Sequence, residues 1–128
     1  MNSQEVLNVV NKTHSIISKD YDSNATVELY SNIYERLGVE SVGEDFVSYA
    51  EYIWETNKIM LYTDSMESEE DIIRSLIHET VHSNQDYDIY EAYYNQCGVD
   101  YETHPYEIEA EYEEEKWSIY KLNTVWVR

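Results

Sequence analysis

The stretch HETVH, residues 78–82, puts two imidazoles and a carboxylate within five positions. Histidines four apart on an α-helix leave the same face and can share one metal ion. Glu79 is turned about 100° from His78 around the axis, so it can reach a water on that ion without binding the ion itself. A tetrahedral catalytic zinc site takes three protein ligands and leaves its fourth position to water. The pattern therefore asks for one more ligand, supplied from elsewhere in the chain.

The flanking sequence says what carries the motif. In SMESEEDIIRSLIHETVHSNQ (65–85), Ser68 with Asp71 three residues on approximates a capping box. Glu69, Glu70 and Asp71 complement the positive end of the helix dipole. Ile73, Leu76, Ile77 and Val81 form one apolar face, and the His pair points nearly opposite the Ile73/Leu76/Ile77 stripe. The apolar side is expected in the core, with the histidines facing whatever packs above. With only four histidines in a Glu-rich chain, an exposed helix with solvated His and Glu is the competing reading. The buried side predicted for this helix weighs against it.

HPYEIEAEYEEEK (104–116) offers the missing ligand, with six glutamates in thirteen positions. Pro105 suits the first turn of a helix expected near 105–121. Glu107 lies 25 residues beyond His82 (107 − 82), far enough for the chain to turn back against the first helix. Glu109 points about 200° away from Glu107. Glu113, Glu114 and Glu115 read as solvent-facing charge.

SLIHETVHSNQ followed by HPYEIEAEYEE resembles the gluzincin metallopeptidases, particularly the compact single-domain minigluzincins. In that clan the second helix carries Glu, two variable residues, a small residue, then Asp, Asn or Glu. Only Glu107–Ala110–Glu111 fits this register fully. The resemblance implies Zn²⁺ held by His78, His82 and Glu107, with Glu79 as general base acting through a metal-activated water on a peptide bond. It gives Glu111 the role of the second carboxylate, orienting a ligand histidine through its other nitrogen. Glu111 stands where Asp or Asn is more usual. No family motif identifies the group that stabilises the oxyanion, for which His104, Tyr93, Tyr94, Tyr101 and Tyr106 are candidates. The resemblance spans roughly residues 46–120, and within it TNKIML resembles the edge strand along which such enzymes align an extended peptide. One related group cuts DNA-binding repressors, which suggests by analogy a basic or DNA-binding protein substrate.

The rest of the chain must position these groups. SQEVLNVVNKTHSIIS (3–18) has Val6, Leu7, Val10, His14 and Ile17 at helical spacing, with His14 read as a packing residue. NATVELYSNIYERLG (24–38) reads as a second helix, with Asn24 as its cap and Gly38 as its left-handed stop. Residues 46–54 (Phe46, Val47, Ala50, Ile53, Trp54) fit either a helix or the partner strand of Lys58–Thr63, with ETN as the turn between them. TVWVR at the C-terminus reads as a short strand or an ordered tail. The expectation is one domain over 1–128, an α+β fold. Its helix-rich, zincin-like core should carry a small antiparallel sheet or hairpin beside the active-site helix.

Composition narrows the partners. Twenty-seven acidic against eight basic residues give a formal charge of −19, which repels nucleic acid and anionic membrane and attracts basic proteins or cations. The N-terminal stretch has no basic region followed by an apolar core, and the lone Cys97 cannot form an intramolecular disulfide. A cytoplasmic protein is expected. A rival reading from another class is an acidic binding or inhibitory protein that imitates nucleic acid and retains a metal site without turnover. A purely structural zinc domain fits less well, because such sites close all four positions with Cys and His.

Overall fold

Residues 1–40 and 48–125 are described by a computed structural model, with side chains to residue 121. Ser68 begins the central helix, α3 (Glu69–Ser83), by accepting a hydrogen bond from the Asp71 amide. The Asp71 carboxylate returns to the Glu67 amide at 3.0 Å, so the cap is reciprocal but displaced by one residue from the usual box. Every residue from Ser75 to His82 is buried. A helix buried on all sides needs partners all round, and α3 has them. These are helix α1 (Ser3–Asp20), the strands, and the C-terminal helices α5 (Pro105–Glu114) and α6 (Trp117–Val125).

The core follows the apolar spacing. Val6, Val10 and Ile17 of α1 meet Ile72, Ile73, Leu76 and Ile77 of α3, while Ala110 and Tyr120 close the far side. Each large aliphatic side chain taken from water contributes about 2 kcal/mol. His14 is half-buried, and its Nε2 lies 3.1 Å from the Ala25 carbonyl, in keeping with a packing role.

Strands β1 (Thr26–Tyr30), β2 (Ala50–Ile53) and β3 (Lys58–Tyr62) form one sheet in the order β1-β3-β2. The β2–β3 pair is the expected antiparallel hairpin, with Ala50 opposite Leu61 and Ile53 opposite Lys58. The α+β class holds, but the sheet is mixed, because β1 runs parallel to β3 with Val27 opposite Ile59.

This corrects the helix expected over 24–38. Val27 and Leu29 alternate at a strand's period of two, and pairing with the buried β3 overrides the helical spacing they share with Ile33. Only Ile33–Leu37 (α2) is helical, capped by Asn32 and ended by Gly38 at φ 69. Asn24 instead accepts a hydrogen bond from Asn57 Nδ2 at the hairpin turn. There Asn57 takes the left-handed φ of 55, and Tyr52 donates to its side-chain oxygen.

Two further corrections bear on the site. TNKIML is not an edge: Lys58–Leu61 belong to β3, paired on both sides, and the edge strands are β1 and β2. The single helix expected near 105–121 breaks at Glu115–Lys116 into α5 and α6. That bend turns Tyr120 back to donate to Asp20 of α1 at 2.9 Å. The Tyr-rich connection before Gly98 contains another helix, α4 (Tyr87–Asn95), started by Asp86. Phe46, Val47 and Trp126–Arg128 lie outside the described residues.

Candidate metal centre

The site forms where α5 crosses the histidine face of α3. Ala110 is fully buried at the crossing, and its small side chain lets the two helices approach. His78 and His82 sit one turn apart with ring centroids 4.9 Å from each other. Their Nε2 atoms each lie 2.9 Å from the same atom, Glu107 Oε1. The two nitrogens and this oxygen therefore converge on one point. The ligand atoms of His78, Glu79 and His82 also lie within 4.8 Å of one another, so this buried His-Glu-His group could hold a metal ion.

The other ring nitrogens decide the chemistry of that point. Gln85 donates through Nε2 to the Tyr106 carbonyl (3.1 Å) and to Glu109 Oε1 (2.9 Å). Its Oε1 is thereby left to accept from His82 Nδ1 at 2.6 Å. His78 Nδ1 donates to Glu114 Oε2 at 2.7 Å. With both Nδ1 protons committed, the two neutral rings turn lone pairs, not protons, toward the Glu107 carboxylate. Three acceptor atoms facing one another require a cation: a metal ion, or a proton on each ring. The donor set fits zinc, which takes imidazole nitrogen at about 2.0 Å and carboxylate oxygen at similar length.

The electrostatics agree. Burial pushes the His78 imidazolium toward losing its proton. The hydrogen bonds to Glu107 and Glu114, with Glu79 nearby, overcome this and raise its pKa to about 10. Burial opposes the charge on His82 too, yet Glu107 and Glu79 raise it. For Glu107 burial favours protonation, but the two histidines and the Tyr90 hydroxyl hold its carboxyl far below the usual range. Tyr90 donates to Glu107 Oε2 at 2.6 Å, tying down the oxygen that does not face the histidines.

Glu79 stands apart. Its carboxylate has no hydrogen-bond partner among the described residues, and burial raises its pKa against the opposing pull of His78 and His82. It faces two cavities of about 290 and 250 Å³, both of which His78 and Tyr101 also line. Ala50 of β2 lines both as well, so an edge strand of the sheet borders the site.

The sequence-derived residues thus fare differently. His78, Glu79, His82 and Glu107 come together. Glu111 does not reach a histidine: it lines the 290 Å³ cavity, while the carboxylate on His78 Nδ1 is Glu114, which the sequence places in solvent. Glu114 lies seven residues after Glu107, two full turns along the same face, and that spacing could have revealed it.

His104 drops out as an oxyanion donor. It is fully buried, its Nδ1 accepts from the Tyr106 amide, and its Nε2 donates to the Tyr90 carbonyl. Tyr93, Tyr94 and Tyr106 pack around that ring. Among the five candidates only Tyr101 lines the cavities. Gln85 and Tyr90 were missed; Gln85 at His82 + 3 is within side-chain reach on a helix end, whereas Tyr90 had no signal among fourteen tyrosines.

Among the described residues no helix is long and apolar enough to cross a membrane. Comparison of the chain with protein-family models, with curated proteins and with solved structures finds no match.

Proposed function

We propose that this chain is a zinc-dependent peptidase of the gluzincin type, with Zn²⁺ held by His78, His82 and Glu107 and with Glu79 as general base. One observation carries the reading: two imidazole lone pairs and a carboxylate oxygen converge within 2.9 Å, beside a buried carboxylate that has no hydrogen-bond partner among the described residues and faces a cavity. Zinc, when bound, supplies a Lewis acid that polarises a carbonyl and lowers the pKa of water to about 7.

The chain's own groups do the rest. Glu114 and Gln85 hold the two rings in the tautomer that presents Nε2. Burial raises the Glu79 pKa, the direction that makes a carboxylate a better proton acceptor. It takes the proton from water as the carbon–oxygen bond forms, and delivers it to the amine as the carbon–nitrogen bond breaks. Tyr101, the one of the five candidates at the cavity wall, is the side chain we assign to donate to the developing oxyanion. The outer edge of β2 offers backbone groups to an extended peptide. The acidic cleft and the −19 charge favour a basic substrate segment.

The test is metal content together with turnover. Mass spectrometry of untreated protein should find one zinc per chain, absent from His78→Ala. Glu79→Gln should keep the zinc and lose peptide cleavage by about a hundredfold or more. If no transition metal can be loaded at neutral pH, the proposal fails.

A further inference from the structure

A third cavity, of about 500 Å³, lies beyond the metal centre at the hairpin end of β2. Its walls are Tyr52, Ile53, Trp54, Glu55, Tyr87 and Glu91, brought together from the hairpin and from α4. Trp54 meets Tyr52 edge to face at 5.0 Å between ring centroids, and Tyr87 at 5.7 Å. Tyr52 and Trp54 also line the cavity that holds His82 and Glu107, so the two spaces share a wall. No lysine or arginine is among the described residues lining this cavity. Lys58, opposite Ile53 in the hairpin, is turned to Glu28 at 2.7 Å.

We propose that this cavity is a specificity pocket for an arginine side chain of a peptide lying along β2. Aromatic rings present negative faces to a cation, and a planar guanidinium can stack on indole while its N–H groups reach carboxylates. Trp54, Tyr52 and Tyr87 supply the rings, and Glu55 and Glu91 supply the carboxylates. An apolar side chain would cover the rings but leave both carboxylates without a counter-charge. Lysine would bring the charge without the planar stacking surface. The shared wall of Tyr52 and Trp54 sets this pocket next to the metal centre, so the arginine would enter close to the bond presented to Glu79. This inference rests on the peptidase reading in taking the cleft to be a peptide site, but its test does not require turnover.

Zinc-treated Glu79→Gln protein is titrated calorimetrically with blocked Ser/Gly/Ala octapeptides, each carrying one arginine at a different position, and with the matching citrulline peptides. At one position arginine should bind at least tenfold more tightly than citrulline at low salt, with the preference shrinking as salt is added. Adding Glu55→Gln and Glu91→Gln should abolish that preference. Metal content and circular dichroism should stay unchanged, both side chains lying at the surface of the cavity. Tyr87→Ala, at an exposed ring, should weaken the arginine peptide alone by about threefold. Equal binding of arginine and citrulline at every position, a preference that survives the double substitution, or no binding of any peptide would each overturn the pocket. Intact preference with no cleavage of any peptide by the unsubstituted protein would uphold the pocket and count against the peptidase reading.

Discussion

Glu114 is the residue whose role changed most between sequence and structure. It accepts from His78 Nδ1 while remaining partly exposed, and Arg74 stands 4.0 Å away among three glutamates. Orienting partners of this kind are typically worth ten- to a hundredfold in metal affinity. Glu114→Gln should therefore weaken zinc binding by that order, whereas Glu111→Gln should leave it unchanged; competition with a chromophoric chelator reads both. The reverse pattern would restore Glu111 to the orienting role.

The same histidines also set a pH dependence. In ion-free protein His78 stays protonated to about 10, against an ordinary 6.5, so metal uptake must displace its proton. Apparent affinity should rise with pH between those values. Calorimetry in buffers of different ionisation enthalpy should show protons released on binding. A raised folded-state pKa is stabilising below 6.5 and loses that contribution as pH climbs toward 10. Melting of the ion-free protein should fall over that window, and melting of the zinc-loaded protein should fall less.

At the scale of elements, everything hangs on how closely α5 lies against α3. Glu107, Ala110 and Glu114 share one face of α5, at spacings of three and four residues, so a displacement of the helix moves both functional carboxylates at once. Ala110→Leu adds volume at a fully buried crossing and should cost about 1–3 kcal/mol. Zinc should be lost from it more completely than melting alone would suggest, because Glu107 and Glu114 retreat together. Ser68→Ala, by contrast, removes only the start of α3. It should cost about 1 kcal/mol in denaturant titrations and leave metal content intact, since HETVH lies more than two turns further on.

For the whole molecule, the −19 charge works against compaction, and the candidate metal centre concentrates part of that charge at one point. Salt should raise the melting temperature by screening the surface carboxylates, with little effect on the buried trio of His78, His82 and Glu107. On the proposed function, a divalent ion would act at the trio itself. Zinc at a thousandfold excess over its dissociation constant should add about 4 kcal/mol to stability, and chelation should reverse the gain. A melting temperature indifferent to chelator in protein that carries stoichiometric zinc would place the ion elsewhere.

Local chemistry was legible from the sequence alone. The cap at Ser68, the left-handed stop at Gly38, the proline opening α5 and the four-residue spacing of His78 and His82 depend on near neighbours, and each stands as read. Glu107 could be singled out because the pattern of the gluzincins it resembles and the length of the return are both read along one dimension. What only the tertiary structure decided involves partners distant in sequence. Residues 26–30 became a strand because β3 offered a buried edge thirty-two residues on. The helix near 105–121 bent because Tyr120 finds its partner on α1, a hundred residues back. Glu114 displaced Glu111 because the angle at which α5 crosses α3 chooses which carboxylate meets His78 Nδ1. Register lists the candidates on a helix face; the crossing of two packed helices selects among them.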